Sequence, residues 1–323
     1  QSMDILDVYK NSNVYDLIKK DISNNMVSHA YLLVSDDLDL LKEYSFCIAK
    51  QLLCNNDICN VCADCLKVEH GTHTDVVVYP KNDSKQILTN DILEIISSSV
   101  VSSSTKYKIF ILNNFEKTLP QAQNKFLKTL EEPTENVVFL LLTTDEKSVL
   151  KTIVSRCKKV NVHNLTIDEL TEIANNKKTS IALSSKNLAQ TSGNLTTLNK
   201  IIEFPYYVTL KAETVNVFTK MKHSKNMLNY VYALSKYKDI LEVLNELNTV
   251  VLDLLFIKNE NFNISNSLYL SDLQNVAQDY SINALNKIAL KIKESIKKIQ
   301  ANCNANFVLD GLLMYILEVK TKC

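Results

Sequence analysis

Five short runs of apolar and β-branched residues punctuate the first half of the chain: Ala30 to Val34, Asp75 to Tyr79, Tyr107 to Leu112, Val137 to Thr143 and Lys159 to Val162. Most are nearly continuous rather than alternating, the pattern of strands covered on both faces. Between them apolar residues recur at helical spacing in Leu38 to Leu53, Thr89 to Val101 and Gln121 to Glu131. Leu119-Pro120 opens the last of these and Pro133 follows it, the helix margins where proline is tolerated. Strands alternating with helices predict a parallel sheet flanked by helices, forming one α/β domain over residues 3–163.

Beyond His163 the strand signals stop. Thr166 opens a helix with Asp168 and Glu169 in its first turn, and helical patterns follow at Ser180 to Gln190 and Leu195 to Phe204. These predict a small helical unit over 164–204. Pro205 is the only proline after Pro133 and marks a second boundary. From there helical spacing continues, notably in Ile240 to Ile257, Ile282 to Ile299 and Phe307 to Val319, predicting a separate all-α domain over 205–323.

Composition narrows the function classes. No apolar run approaches the roughly 18 residues that would span a bilayer, and no basic segment followed by an apolar stretch opens the chain. The expectation is a soluble, cytoplasmic protein with no membrane partner. A formal net charge of zero supplies no long-range field for gathering nucleic acid, so such contact is local or shared with partners. Of the 36 basic residues, one is arginine, Arg156. An AT-rich coding sequence explains the lysine bias, and a lone arginine can persist by chance. Arginine is hard to replace, however, where its planar five-donor head forks onto phosphate oxygens.

Four of the eight cysteines crowd together as Cys54, Cys59, Cys62 and Cys65. Four thiolates on a short loop with two-residue gaps can close a tetrahedron around Zn²⁺, and a filled coordination shell is structural rather than catalytic. Redox-active or unmetallated thiols and a catalytic metal are the competing readings. His70 and His73 follow and could each substitute for one thiolate.

The strand ending at Val34 enters a helix near Leu38, the place of a phosphate-binding loop in a P-loop protein. Such a loop needs glycines for close backbone approach, then a lysine and a hydroxyl. Here it reads Ser35-Asp36-Asp37-Leu38-Asp39-Leu40-Leu41-Lys42, without glycine and with three carboxylates that would repel phosphate. After the third strand, Asn113-Asn114-Phe115-Glu116 offers amides where an ATPase places acidic groups for Mg²⁺. From these residues alone, either a nucleotide site has decayed or the fold never held one.

Several strings decide between the two. Ser28-His29-Ala30-Tyr31-Leu32, the cysteine cluster, Asn124 through Pro133, Leu142-Thr143-Thr144 and Ser155-Arg156-Cys157 occur in an order that resembles bacterial DNA polymerase III clamp-loader subunits. The likeness is strongest to the delta-prime members, with the tau and gamma members sharing most motifs. It covers residues 28–163, and the remainder resembles the family only in its helical layout. The resemblance implies an AAA+ (P-loop NTPase-like) domain with a four-cysteine zinc module at 54–65, a helical lid over 164–204 and a helical collar over 205–323. It further implies a subunit that binds no ATP itself, works beside tau/gamma-type motor subunits and a delta subunit, and helps load a sliding clamp onto primed DNA. Arg156 is implied as a finger reaching a neighbouring subunit's ATP in trans. Thr196, after Ser192-Gly193-Asn194, stands where an active member's sensor-2 arginine is expected. Ser155 then shapes a helix terminus, Cys157 packs, and Glu131 and Glu132, adjacent on a helix, receive no catalytic role. The alternatives are an autonomous AAA+ ATPase and a zinc-dependent nucleic-acid-binding adaptor.

Overall fold

In the computed structural model, which describes residues 4–81, 86–176, 188–262 and 264–321, all five apolar runs form strands. They are β1 (Ala30–Val34), β2 (Val76–Tyr79), β3 (Lys108–Leu112), β4 (Val137–Thr143) and β5 (Lys158–Asn161). All pair in parallel, in the order β2-β3-β4-β1-β5. The register sets Ala30 beside Phe139, Lys108 beside Val137 and Tyr31 beside Lys158. Central strands β3 and β4 are buried along their whole length, which is why their sequences do not alternate. The edge strand β5 carries Lys158 and Lys159, and charge on an edge discourages pairing with a further strand.

The helices of the first half are α1 (Ile5–Lys10), α2 (Asn13–Ser23), α3 (Leu38–Leu53), α4 (Ala63–Glu69), α5 (Thr89–Ser99), α6 (Pro120–Glu131), α7 (Lys151–Val154) and α8 (Ile167–Asn176). On one sheet face Ala30, Leu32, Phe110, Phe139 and Leu141 meet Ile92 and Ile95 of α5 and Phe126 and Leu130 of α6. Phe139 stacks on Phe110 at 5.4 Å and takes the edge of Phe126 at 5.0 Å. Residues pointing the other way, including Tyr31, Leu33 and Leu140, are equally buried, and α3 packs against β4. Helices α1, α2 and α4 are not among the elements expected from the sequence, although α2, at 11 residues, is as long as α5. The first two are started by side-chain caps from Asp4 and Ser12.

The second half is helical: α9 (Leu195–Glu203), α10 (Tyr207–Lys220), α11 (Ser224–Ser235), α12 (Ile240–Lys258), α13 (Leu270–Ala277), α14 (Ile282–Gln300) and α15 (Ala305–Thr321). Most of the helix predicted at Ser180 to Gln190 falls outside the described residues. By their internal contacts the described residues divide into two compact units, one made of 4–176 and 194–196, the other of 188–193 and 197–321. The second has its own core, with Leu210, Phe218, Leu247, Leu254, Leu285 and Leu309 at its centre. No helix of the described residues is long and apolar enough to cross a membrane.

Candidate functional site

In a parallel sheet a ligand sits beyond the carboxyl ends of the strands, where helix N-termini point. At this edge β1 hands over to α3 through Ser35, Asp36 and Asp37. Asp37 is the N-cap of α3, fully buried, and its carboxylate accepts the N–H of Leu40 at 3.2 Å. It also accepts the Leu195 N–H, the Thr196 N–H at 3.0 Å and the Thr196 hydroxyl at 2.7 Å. The Thr196 oxygen in turn accepts the N–H of Asp39 at 3.0 Å. One carboxylate thus fills the head of α3 and the first residues of α9. Burial pushes the Asp37 pKa up, while the donors from Thr196, Leu195 and Leu40 pull it back only in part. The sequence suggests only that Asp37 repels phosphate; the structure shows it accepting from the same kind of backbone donors a phosphate would use.

At the end of β3 two asparagines precede the first carboxylate, Glu116. Asn113 donates its N–H to the Tyr79 carbonyl at 2.8 Å, and Asn114 adopts a left-handed φ of 51°, a conformation asparagine tolerates. Glu116 lies behind them and accepts from the Thr144 hydroxyl at 3.2 Å.

Arg156 lies just after α7. The buried Gln123 side chain of α6 sets this region: it donates to the carbonyls of Thr118 (2.8 Å) and Ser148 (3.3 Å) and accepts from the Leu150 N–H (2.9 Å). Ser155 is the C-cap of α7 and bonds the Thr152 carbonyl at 3.1 Å. Burial pushes the Cys157 thiol up to about 12, which suits a packing residue. Arg156 Nη1 donates to the Thr152 carbonyl at 2.7 Å and Nη2 to Glu131 Oε1 at 2.6 Å, with a third of the arginine side chain in solvent. The Glu131 contact has no signal in the sequence, because it joins positions 25 residues apart on separate elements.

The four cysteines converge. Cys54 is the C-cap of α3, Cys62 the N-cap of α4, Cys65 lies within α4, and Cys59 sits in the turn between. That turn is tight enough to place Asp57, Ile58 and Asn60 at positive φ. All four sulfurs lie within 4.8 Å of one another, with Cys54 at 3.6 Å from Cys59 and 3.9 Å from Cys62. A tetrahedron of thiolates with metal–sulfur bonds of about 2.3 Å has edges of about 3.8 Å, so the donor set fits a metal ion. Backbone N–H groups of Val61 and Cys62 hold the Cys59 thiol down at about 6, while burial pushes Cys65 up to about 12. His73 is occupied elsewhere: Nδ1 accepts the Asp75 N–H at 3.1 Å and Nε2 faces Asp64 at 3.4 Å. His70 is the C-cap of α4.

A five-stranded parallel sheet in this order, with helices on both faces, a phosphate-loop position after β1 and a helical region following in the chain, defines an AAA+ architecture. The family described as "DNA polymerase III, delta subunit" matches residues 10–166. The DNA polymerase III subunit delta' of Bacillus subtilis is 23% identical over 94% of this chain and 95% of that protein. Subunit tau of Escherichia coli is 28% identical over 51% of this chain, which spans only 26% of tau's own length. A gamma subunit-related protein from Thermotoga maritima superposes with a TM-score of 0.49 at 18% identity, covering 96% of this chain and all of that one. Residues 10–166 thus match the DNA polymerase III delta subunit family, and the chain is similar over 94% of its length to a clamp-loader subunit of that family.

Proposed function

We propose that this chain is a non-hydrolysing, delta-prime-type subunit of a cytoplasmic replicative clamp loader. It stands beside tau/gamma-type motor subunits and a delta subunit, helps place a sliding clamp on primed DNA, and lends Arg156 to a neighbour's ATP. Residues 164–204 serve as its lid and 205–323 as its collar. The observation that carries the reading is Asp37: its carboxylate takes the Leu40 N–H at the head of α3, where a nucleotide phosphate would sit, and with it the N–H groups of Leu195 and Thr196 at the start of α9. A loop without glycine adds that the backbone cannot open to readmit one.

Arg156 supplies what the chain keeps. A guanidinium beside a γ-phosphate neutralises charge that spreads over the transferred oxygens, and it costs no reorganisation if it is already in place. The cysteine tetrad holds Zn²⁺ as a structural ion, whose binding energy becomes folding energy for the 54–65 turn.

The test is reconstitution with motor and delta subunits, clamp and primed DNA. Adding this chain raises ATP turnover, R156A removes most of that gain, and the R156A complex still assembles. Equal turnover with R156A would sink the finger role. Calorimetry of the isolated chain with Mg-ATP shows no binding, and a specific micromolar site would overturn the non-hydrolysing reading.

A further inference from the structure

We infer that Glu131 is a positioning residue for the finger: it holds the Arg156 guanidinium against its own domain until a phosphate takes its place. The inference rests on the proposed role of Arg156 and adds a second residue to it.

Two acceptors from different elements fix the plane of the guanidinium. The Thr152 carbonyl of α7 takes Nη1, and the Glu131 carboxylate at the end of α6 takes Nη2. Their backbones are preset, because Gln123 ties α6 to the segment that leads into α7. Glu131 is the last residue of α6, with Glu132 as the C-cap and Pro133 next, so its carboxylate is delivered by a helix end and not by a loose loop. A carboxylate and a phosphate compete for the same guanidinium hydrogens, and both prefer forked, charge-assisted bonds. Exposure decides which wins. With 33% of the arginine and 49% of the glutamate side chain in solvent, the pair is weak enough to open. Glu131 therefore lowers the fraction of fingers free to engage, and the apparent affinity for the engaged state falls by that fraction.

In the reconstituted loader, E131Q lowers the ATP concentration for half-maximal turnover by about two- to fivefold, the weight of an exposed ion pair, and leaves kcat unchanged. The shift disappears when R156A accompanies E131Q, and E131D returns it part of the way. A fall in kcat without a change in half-saturation, or a shift that persists with R156A, overturns the inference. The isolated full-length chain gives a second readout, because its single arginine yields one Nε–H resonance that needs no assignment. E131Q moves that resonance and E132Q leaves it in place; equal spectra for the two overturn the pairing. The outcomes separate cleanly. If R156A alone leaves turnover intact, the finger reading fails and takes this inference with it. If R156A lowers turnover while E131Q changes neither half-saturation nor the resonance, only the inference fails.

Discussion

Asp37 and Arg156 sit in the same α/β unit, and they differ in burial and in how their charges are held. Asp37 is fully buried and spends its charge on the backbone of its own chain. Arg156 keeps a third of its side chain in solvent and is tied to its own domain by one carbonyl and one exposed carboxylate. The first contact closes a site inward, and the second can be exchanged. On the proposed reading, losing a nucleotide site and keeping half of a neighbour's are separate events in one fold, carried by different loops. A buried carboxylate at a helix head cannot be traded for phosphate without exposing several donors. A solvated guanidinium can change partners at little cost.

The sharpest way to break this comparison is R156A, which lowers turnover of the reconstituted complex by about tenfold or more, small beside the roughly 10³- to 10⁵-fold of the GTPase fingers. D37A strikes the inward half. It strips a cap from α3 and leaves the Leu195 and Thr196 donors buried, a loss of about 2 kcal/mol that lowers the melting temperature by about 4–8 °C. It restores no ATP binding, because residues 35–42 still lack glycine. Nucleotide binding by D37A would mean that the carboxylate was the only barrier.

The smallest effects are in pH, and their signs are opposite at two buried aspartates. Burial raises the Asp37 pKa above its unfolded value, so its stabilising contribution is complete below about pH 3.9 and is lost as pH rises through the folded value. Burial also pushes Asp75 upward, but hydrogen bonds from Ser104 and Thr105 outweigh it and hold the carboxyl below the usual range. The Asp75 contribution is therefore complete above about pH 3.9 and is lost as pH falls through the folded value. The stability gap between the native chain and D37N narrows as pH rises from about 3 towards neutrality, while the gap to D75N widens; melting curves across that range check both. Parallel trends would show that Asp37 is held by its partners as Asp75 is.

Much of the sheet is legible in the sequence because central parallel strands must be apolar on both faces. Strands β1 and β4 match the expected bounds, and β2, β3 and β5 shift by a residue at their ends. The shortest helices, α1 and α4, are not legible because six or seven residues carry too few turns for a periodic pattern, whereas α2 is 11 residues long and its amphipathic pattern is readable. The cysteine tetrad is legible because its ligands are neighbours in the chain, so spacing alone implies convergence. Asp37 is read from the sequence only as a charge that repels phosphate, and its bonds to Leu195 and Thr196 cross more than 150 positions, so no local pattern encodes them. Glu131 cannot face its neighbour Glu132, and that local rule says nothing of a partner delivered by another helix.

Helix α3 begins at Asp37 and ends at Cys54, so the 16-residue rod between them is held at both ends. It is a beam on two fixed supports, about 24 Å apart at 1.5 Å per residue. Helices usually fray from their ends, and here one end is capped by a carboxylate and the other by a residue of the four-cysteine cluster. The cysteine loop and the loop that opens the candidate phosphate position are therefore the two ends of one helix.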